Sequence, residues 1–218
     1  MTTYLKNIKY EIVNDASKPL VFAGVSYFNL MLEKYFSAKG FKTIVGKVEE
    51  IENNSQQWFD DHQFICVSSN VQTKRFVTGR IAEKNPHYFS ILGSDSYFLN
   101  LPIGYGTYIE HNTTAMWENC SVGNHCSILS HNQIGHDAHI GDYCHISGFS
   151  FVAFAQVGEG NCMALRTSVL GNEHKHISTA KNCNFMTGSV ITKDITESAT
   201  YYGNRRVSAE TSITMEVL

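Results

Sequence analysis

Two hydrophobic rhythms divide the chain. Up to residue 95, short apolar runs alternate with stretches whose apolar residues recur at helical spacing. Residues 19–24 (PLVFAG) form an apolar run that predicts a buried strand. Residues 26–39 set Phe28, Met31, Leu32 and Tyr35 on one helical face, and Gly40 follows where a helix end favours glycine. Residues 42–45 and 64–68 read as further strands, 73–84 as a helix and 89–92 as a closing strand. This alternation predicts a small Rossmann-like parallel α/β domain over residues 1–95.

From there to the C-terminus, residues 96–218, the period becomes six. Ile103 and Ile109 begin it; after a one-residue slip come Met116, Val122, Ile128, Ile134, Ile140, Ile146 and Val152; after a second, Val157, Met163 and Val169. Glycine follows the aliphatic at Gly104, Gly123, Gly135, Gly141 and Gly158. A strand of period two does not single out every sixth residue, and a helix drifts off such a face. A six-residue step fits one flat side of a triangular coil. The aliphatics then point inward, with glycine beside the corner where the backbone turns. The expected fold is a parallel β-helix of hexapeptide repeats, wound left-handed against the usual crossover rule.

Composition narrows the function. Of 218 residues, 43% are hydrophobic and 17% charged, a globular balance. A net charge of −3 leaves no basic footprint for nucleic acid or an anionic membrane. The N-terminus carries no apolar leader and no run is long enough to span a bilayer, so a cytoplasmic protein with reduced thiols and no membrane insertion is expected.

The 6 Cys and 10 His raise metal, redox or catalytic readings. No Cys-x-x-Cys pair occurs. Cys120, Cys126 and Cys144 fall four residues after repeat aliphatics, where Asn132, Ala138 and Ser150 occupy the equivalent places. That position takes small inward residues, and the thiols, with Cys66 in its strand, read as packing. The richest chemistry lies in residues 134–147 (IGHDAHIGDYCHIS). His136 stands two residues past an inward aliphatic, beside a corner, and can face outward as a general base with Asp137 adjacent. A zinc site would draw on His125, His131, His139 and His145. Residues six apart lie on different sides of the coil and would converge only with a neighbouring chain, so no metal is expected.

The run GHDAHIGDYCHIS resembles the "(E)HDxxIGDxxHIS" pattern of sugar O-/N-acyltransferases with a left-handed β-helix, which include bacterial nucleotide-amino-sugar N-acetyltransferases and sialic acid O-acetyltransferases. Residues 187–194 (TGSVITKD) resemble the family's "GAGSVVTKD" coil end, and Tyr202-Gly203-Asn204 the start of its terminal turn. The resemblance implies that His136 is the general base and that Asp137 raises its basicity. It implies that His145 contacts acyl-CoA and that Leu165, Thr187 and Gly188 line the pantetheine arm. In the first domain it implies a nucleotide-sugar site at Gly24, Ser26, Tyr27, Glu49 and Ser68. The chain departs from the pattern in several places. It has a single Gly24 in a turn that is usually Gly-rich, and Tyr27 where a His is frequent. Glu49 and Glu50 form the acidic pair, residues 171–176 are longer and more polar, and Arg205 and Arg206 replace Pro-Ala. The expected activity is acetyl-CoA-dependent N-acylation of a nucleotide-linked amino sugar by a homotrimer with its cleft between neighbours. O-acetylation of a sugar hydroxyl, a zinc β-helix hydratase and a non-catalytic structural β-helix are the alternatives.

Overall fold

The apolar runs of the first half build a four-stranded parallel sheet. In chain order the elements are β1 (Tyr10–Val13), β2 (Leu20–Ala23), α1 (Tyr27–Ala38), β3 (Thr43–Gly46), α2 (Val48–Ile51), α3 (Gln56–Asp60), β4 (Gln63–Ile65), α4 (Val71–Ile81) and β5 (His87–Tyr88). The structure, a computed structural model, describes residues 10–13, 17–115 and 117–207. The sheet order is β3-β2-β4-β5. Alternate residues of β2 and β4 feed two layers: Leu20, Phe22 and Ile65 pack with Leu32, Tyr35 and Phe36 of α1, while Val21 and Phe64 pack with Ile51, Phe59, Val77 and Ile81. With both faces covered, the strands read as continuous apolar runs.

The fourth strand differs from the expected one. Residues 89–92 do not close this sheet; β5 does. The strand Ser90–Gly93 instead pairs in parallel with Tyr108–Ile109 and opens the coil, with β1 antiparallel on its other side. Its apolar residues serve a core either way, so local pattern alone does not assign it.

The second half is a three-sided solenoid whose sides belong to sheets of nine, six and four strands, parallel throughout except for β1 and Arg205–Arg206, which flank the nine-stranded sheet antiparallel. The side with six gives about six turns. Ile109, Ile128, Ile146 and Met163 stack along the first side and Ile134, Val152 and Val169 along the second. Val122, Ile140 and Val157 stack along the third. All these are buried in one continuous core. The inward slot before Val122 is filled by Ala115, in line with Ile134 and fully buried, so the slip falls between Ala115 and Val122, one repeat later than the aliphatic pattern suggests. Met116, to which the pattern assigned that slot, lies outside the described residues.

The repeat glycines do not make the corners. Left-handed φ falls instead on Asn119, His125, Asp137, Tyr143 and Phe154, among others. Gly141 is required by close stacking: a Cβ there would meet the Glu159 backbone nitrogen at 2.7 Å. Because the obstacle is backbone, Gly141→Ala is expected to lower stability by about 1–3 kcal/mol. A reduced urea midpoint with an unchanged m-value would register it.

The cysteines behave as packing. Sγ of Cys120, Cys126 and Cys144 donates to the carbonyls of Gly135, Gly141 and Gly158 at 2.8, 3.1 and 3.2 Å. Burial pushes the Cys66 thiol up to about 12 and the Cys144 thiol well above its ordinary value. The α/β domain is bound to the coil by α4. Lys74, with no exposed surface, donates from Nζ to the Cys144 carbonyl at 2.9 Å, and Arg75 pairs with Glu159 at 2.8 Å. Burial drives the Lys74 ammonium below its ordinary pKa.

Candidate active site

One edge of the solenoid joins the six-stranded side to the four-stranded side. Asn119, Asp137 and Phe154 turn it, with φ of 58°, 50° and 49°. His136 precedes Asp137 there, as the six-residue register requires, and its side chain is half-buried at the mouth of a cleft of about 490 Å³. Leu99, Trp117, Glu118, Asn119 and Asp137 form the rest of the lining.

Stacking defines the imidazole's setting. Its centroid lies 3.9 Å from the Trp117 ring at 32° and 5.5 Å from Phe154 at 14°, and His176 follows 5.6 Å beyond Phe154. The His136 ring nitrogens have no hydrogen-bond partner among the described residues and remain free for a substrate proton. The sequence places Asp137 beside His136, yet its carboxylate accepts from Asn119 Nδ2 and does not pair with the imidazole. Asp137 is itself the left-handed corner residue, so the turn aims its side chain along the edge.

Trp117, Asn119 and Phe154 escaped the sequence reading. The signal was present: Asn119, Asp137 and Phe154 are equivalent corner positions of successive turns, and the register puts them in one row. Residues 171–176 protrude from the same edge, held by paired backbone hydrogen bonds between Asn172 and Lys175.

The acyl-CoA residues implied by the resemblance do not gather at this cleft. Leu165, Thr187 and Gly188 sit together on a different edge, between the nine- and six-stranded sides, where Gly188 N–H donates to the Leu165 carbonyl at 2.9 Å. His145 lies on the outer surface of the nine-stranded side, but α4 covers it. It is 4% exposed, its Nδ1 has no partner among the described residues, and burial, with Lys74 adding to it, pushes its pKa down to about 4. His145 is therefore a neutral group behind the domain contact, away from His136. Arg206 pairs with Glu197 at 2.5 Å.

In the first domain, Gly24, Glu49 and Ser68 follow the C-terminal ends of β2, β3 and β4, where open α/β sheets bind ligands. Gly24 adopts a φ of 86°. Ser26 caps α1, accepting from Asn29 N–H at 3.0 Å, and its hydroxyl donates to the Val67 carbonyl at 2.7 Å. Fully buried Asn29, which the pattern did not single out, bonds Ala23, Gly24 and Val67 and ties the two turns together. Tyr27 and Glu49 are exposed beside them.

Among the described residues no group of three or more His, Cys, Asp or Glu is arranged to hold a metal ion. The four histidines of the zinc reading are dispersed: His125 and His131 occupy different corners, and His139 and His145 different sides. No described helix is long and apolar enough to cross a membrane.

The model of the family "Bacterial transferase hexapeptide (six repeats)" matches residues 119–153. No curated protein matches. Among solved structures, the acetyltransferase domain of PglB from Neisseria gonorrhoeae FA1090 is similar with a TM-score of 0.74 at 15% identity, over 88% of this chain and 99% of that one. The same domain has been solved with acetyl coenzyme A. PerB from Caulobacter crescentus, in complex with CoA and GDP-perosamine, gives 0.66 at 11% identity, over 88% and 97%. WeeI from Acinetobacter baumannii AYE gives 0.64 at 14% identity, over 88% and 99%. The chain thus carries bacterial transferase hexapeptide repeats at residues 119–153 and, over most of its length, shares its fold with acetyltransferases of known structure.

Proposed function

We propose that the protein transfers an acyl group, with acetyl-CoA as donor, to the amino group of a nucleotide-linked amino sugar, with His136 as the base. The observation that carries this reading is the half-exposed, aromatic-stacked imidazole with free nitrogens at a solenoid edge. Its support is the fold shared with an acetyltransferase solved with acetyl coenzyme A and with PerB, solved with CoA and GDP-perosamine.

In the proposed step the neutral sugar amine adds to the thioester carbonyl and His136 takes a proton from nitrogen as the C–N bond forms. Collapse of the tetrahedral intermediate breaks the C–S bond, and the imidazolium returns its proton to the CoA sulfur. Asp137, one residue away, supplies negative field to the imidazolium without a direct hydrogen bond. Holding both substrates in line supplies much of the remaining acceleration.

The residues proposed to line CoA, Leu165, Thr187 and Gly188, stand on another edge, so the proposed site is completed by a second copy, in a homotrimer with clefts between neighbours. The nucleotide sugar is held at Gly24, Ser26, Tyr27, Glu49 and Ser68.

Free thiol measured with acetyl-CoA and a panel of nucleotide-linked sugars tests the reading. Release with amino sugars and not with their hydroxyl counterparts is expected. Release with the hydroxyl series alone would replace it by O-acetylation, and an active monomer in light scattering would remove the shared site.

A further inference from the structure

A second cleft, of about 730 Å³, opens where α4 and β5 meet the coil, and it shares no lining residue with the His136 cleft. It lies at the opposite end of the small sheet from Gly24 and Ser68, beside Gln63 and His87, the first residues of β4 and β5. Its volume is in the range of small-molecule sites.

Its walls carry unspent binding features. Tyr88 and Tyr105 stack 5.5 Å apart at 16°, and Tyr105, half-exposed, keeps ring surface open. Tyr143 is fixed by a 3.1 Å hydrogen bond between its hydroxyl and Thr78. Gly79 stands inside α4, where glycine is disfavoured relative to alanine. A Cβ on Gly79 would meet nothing within 4 Å, so packing within the described chain gives no reason for glycine there. Gln63 is 5% exposed, and its Oε1 has no partner among the described residues. A buried acceptor left so is destabilising until something donates to it. Lys18 donates from Nζ to the Asp60 carbonyl at 2.8 Å and pairs with no carboxylate among the described residues.

Aromatic faces, bare helix backbone, an unmet acceptor and an ammonium with no carboxylate partner among the described residues call for one kind of ligand: a flat ring with an N–H edge and an attached anion. We propose that this cleft binds a nucleoside monophosphate, the base lying between Tyr105 and the Gly79 backbone, its N–H edge toward Gln63 and its phosphate toward Lys18. Base stacking on an aromatic face is a known source of nucleotide affinity. The site is separate from the nucleotide-sugar site proposed above and stands whether or not that reading holds.

The test is an amide chemical-shift titration of the full chain with AMP and with UMP, and with inorganic phosphate and ribose 5-phosphate as controls. Saturable shifts at Gly79, Tyr105 and Gln63 with a nucleotide, absent with either control, are expected. Gly79→Leu fills the cleft and Tyr105→Ala removes the stacking face. Each is expected to weaken binding at least tenfold, Gly79→Leu with a melting temperature that is kept or raised, because it replaces a helical glycine. Should Gly79→Leu fail to fold, half-exposed Tyr105→Ala still decides. Shifts confined to Gly24 and Ser68, equal shifts with phosphate alone, no shifts, or full affinity in Tyr105→Ala would each overturn the proposal.

Discussion

His136→Asn is expected to lower acyl transfer by about 10²–10⁴-fold, the usual contribution of a general base. The substitution keeps a polar side chain at a half-buried edge position, so the melting temperature is expected to stay within about 2 °C, as for a surface change. The neighbours refine the expectation. Among the described residues no side chain hydrogen-bonds the His136 ring; Trp117 at 3.9 Å and Phe154 at 5.5 Å orient it by stacking. Trp117→Leu therefore frees the ring to tilt. A misplacement near 1 Å costs roughly 10²-fold in rate. That loss is expected in kcat with little change in the KM for acetyl-CoA, and Trp117→Phe is expected to restore most of it. Asp137→Asn is expected to cost less than either, since its carboxylate is engaged by Asn119. Steady-state kinetics of the four variants would order them, and full activity in His136→Asn would end the proposed mechanism.

The second large effect is acid instability. His125 and His145 are almost fully buried, and burial pushes each down to about 4 from an ordinary 6.5. Between those values the unfolded chain binds protons that the native chain refuses. Stability then rises with pH, so what the neutral imidazoles contribute is complete above about 6.5 and is lost as pH falls toward 4. At about 1.4 kcal/mol per unit, each histidine accounts for on the order of 3 kcal/mol. Together they match a large part of a typical domain's stability. Urea midpoints are expected to fall steeply between pH 7 and 4.5, and His145→Asn is expected to flatten the slope by about half. A midpoint independent of pH in that range would show that the imidazoles are not buried neutral. Lys74 carries the same sign on the alkaline side, because burial lowers its pKa and the native chain again refuses a proton.

Much of the coil was legible along the chain, for a reason specific to this fold. Each turn repeats the last, so Ile128, Ile134, Ile140 and Ile146 declare their inward places locally, and the place of His136 at an outward corner follows from counting. The same counting misses Ala115, because a small residue carries no hydrophobic signal although it is fully buried. It also misses the second reason for glycine: Gly141 answers to the neighbouring turn's backbone and not to its own φ.

The first domain divides in the same way. The apolar runs of β2 and β4 and the spacing of α1 report themselves, whereas Ser90–Gly93 reads as a strand without revealing which sheet takes it. That assignment depends on the pairing with Tyr108–Ile109, and pairing is a contact between distant residues.

The sequence by itself determined the solenoid, its inward aliphatics, the packing cysteines and the edge position of His136, because these follow from a period that each short segment carries whole. Only the tertiary structure decided which outer surfaces stay open. It laid α4 over the nine-stranded side and buried His145 beside Lys74. It turned the Asp137 carboxylate to Asn119 and closed Trp117 and Phe154 around the imidazole. The physical reason is that a repeat specifies its own interior from within. What covers its exterior is set by a second domain, and by neighbouring turns, whose positions no local pattern encodes.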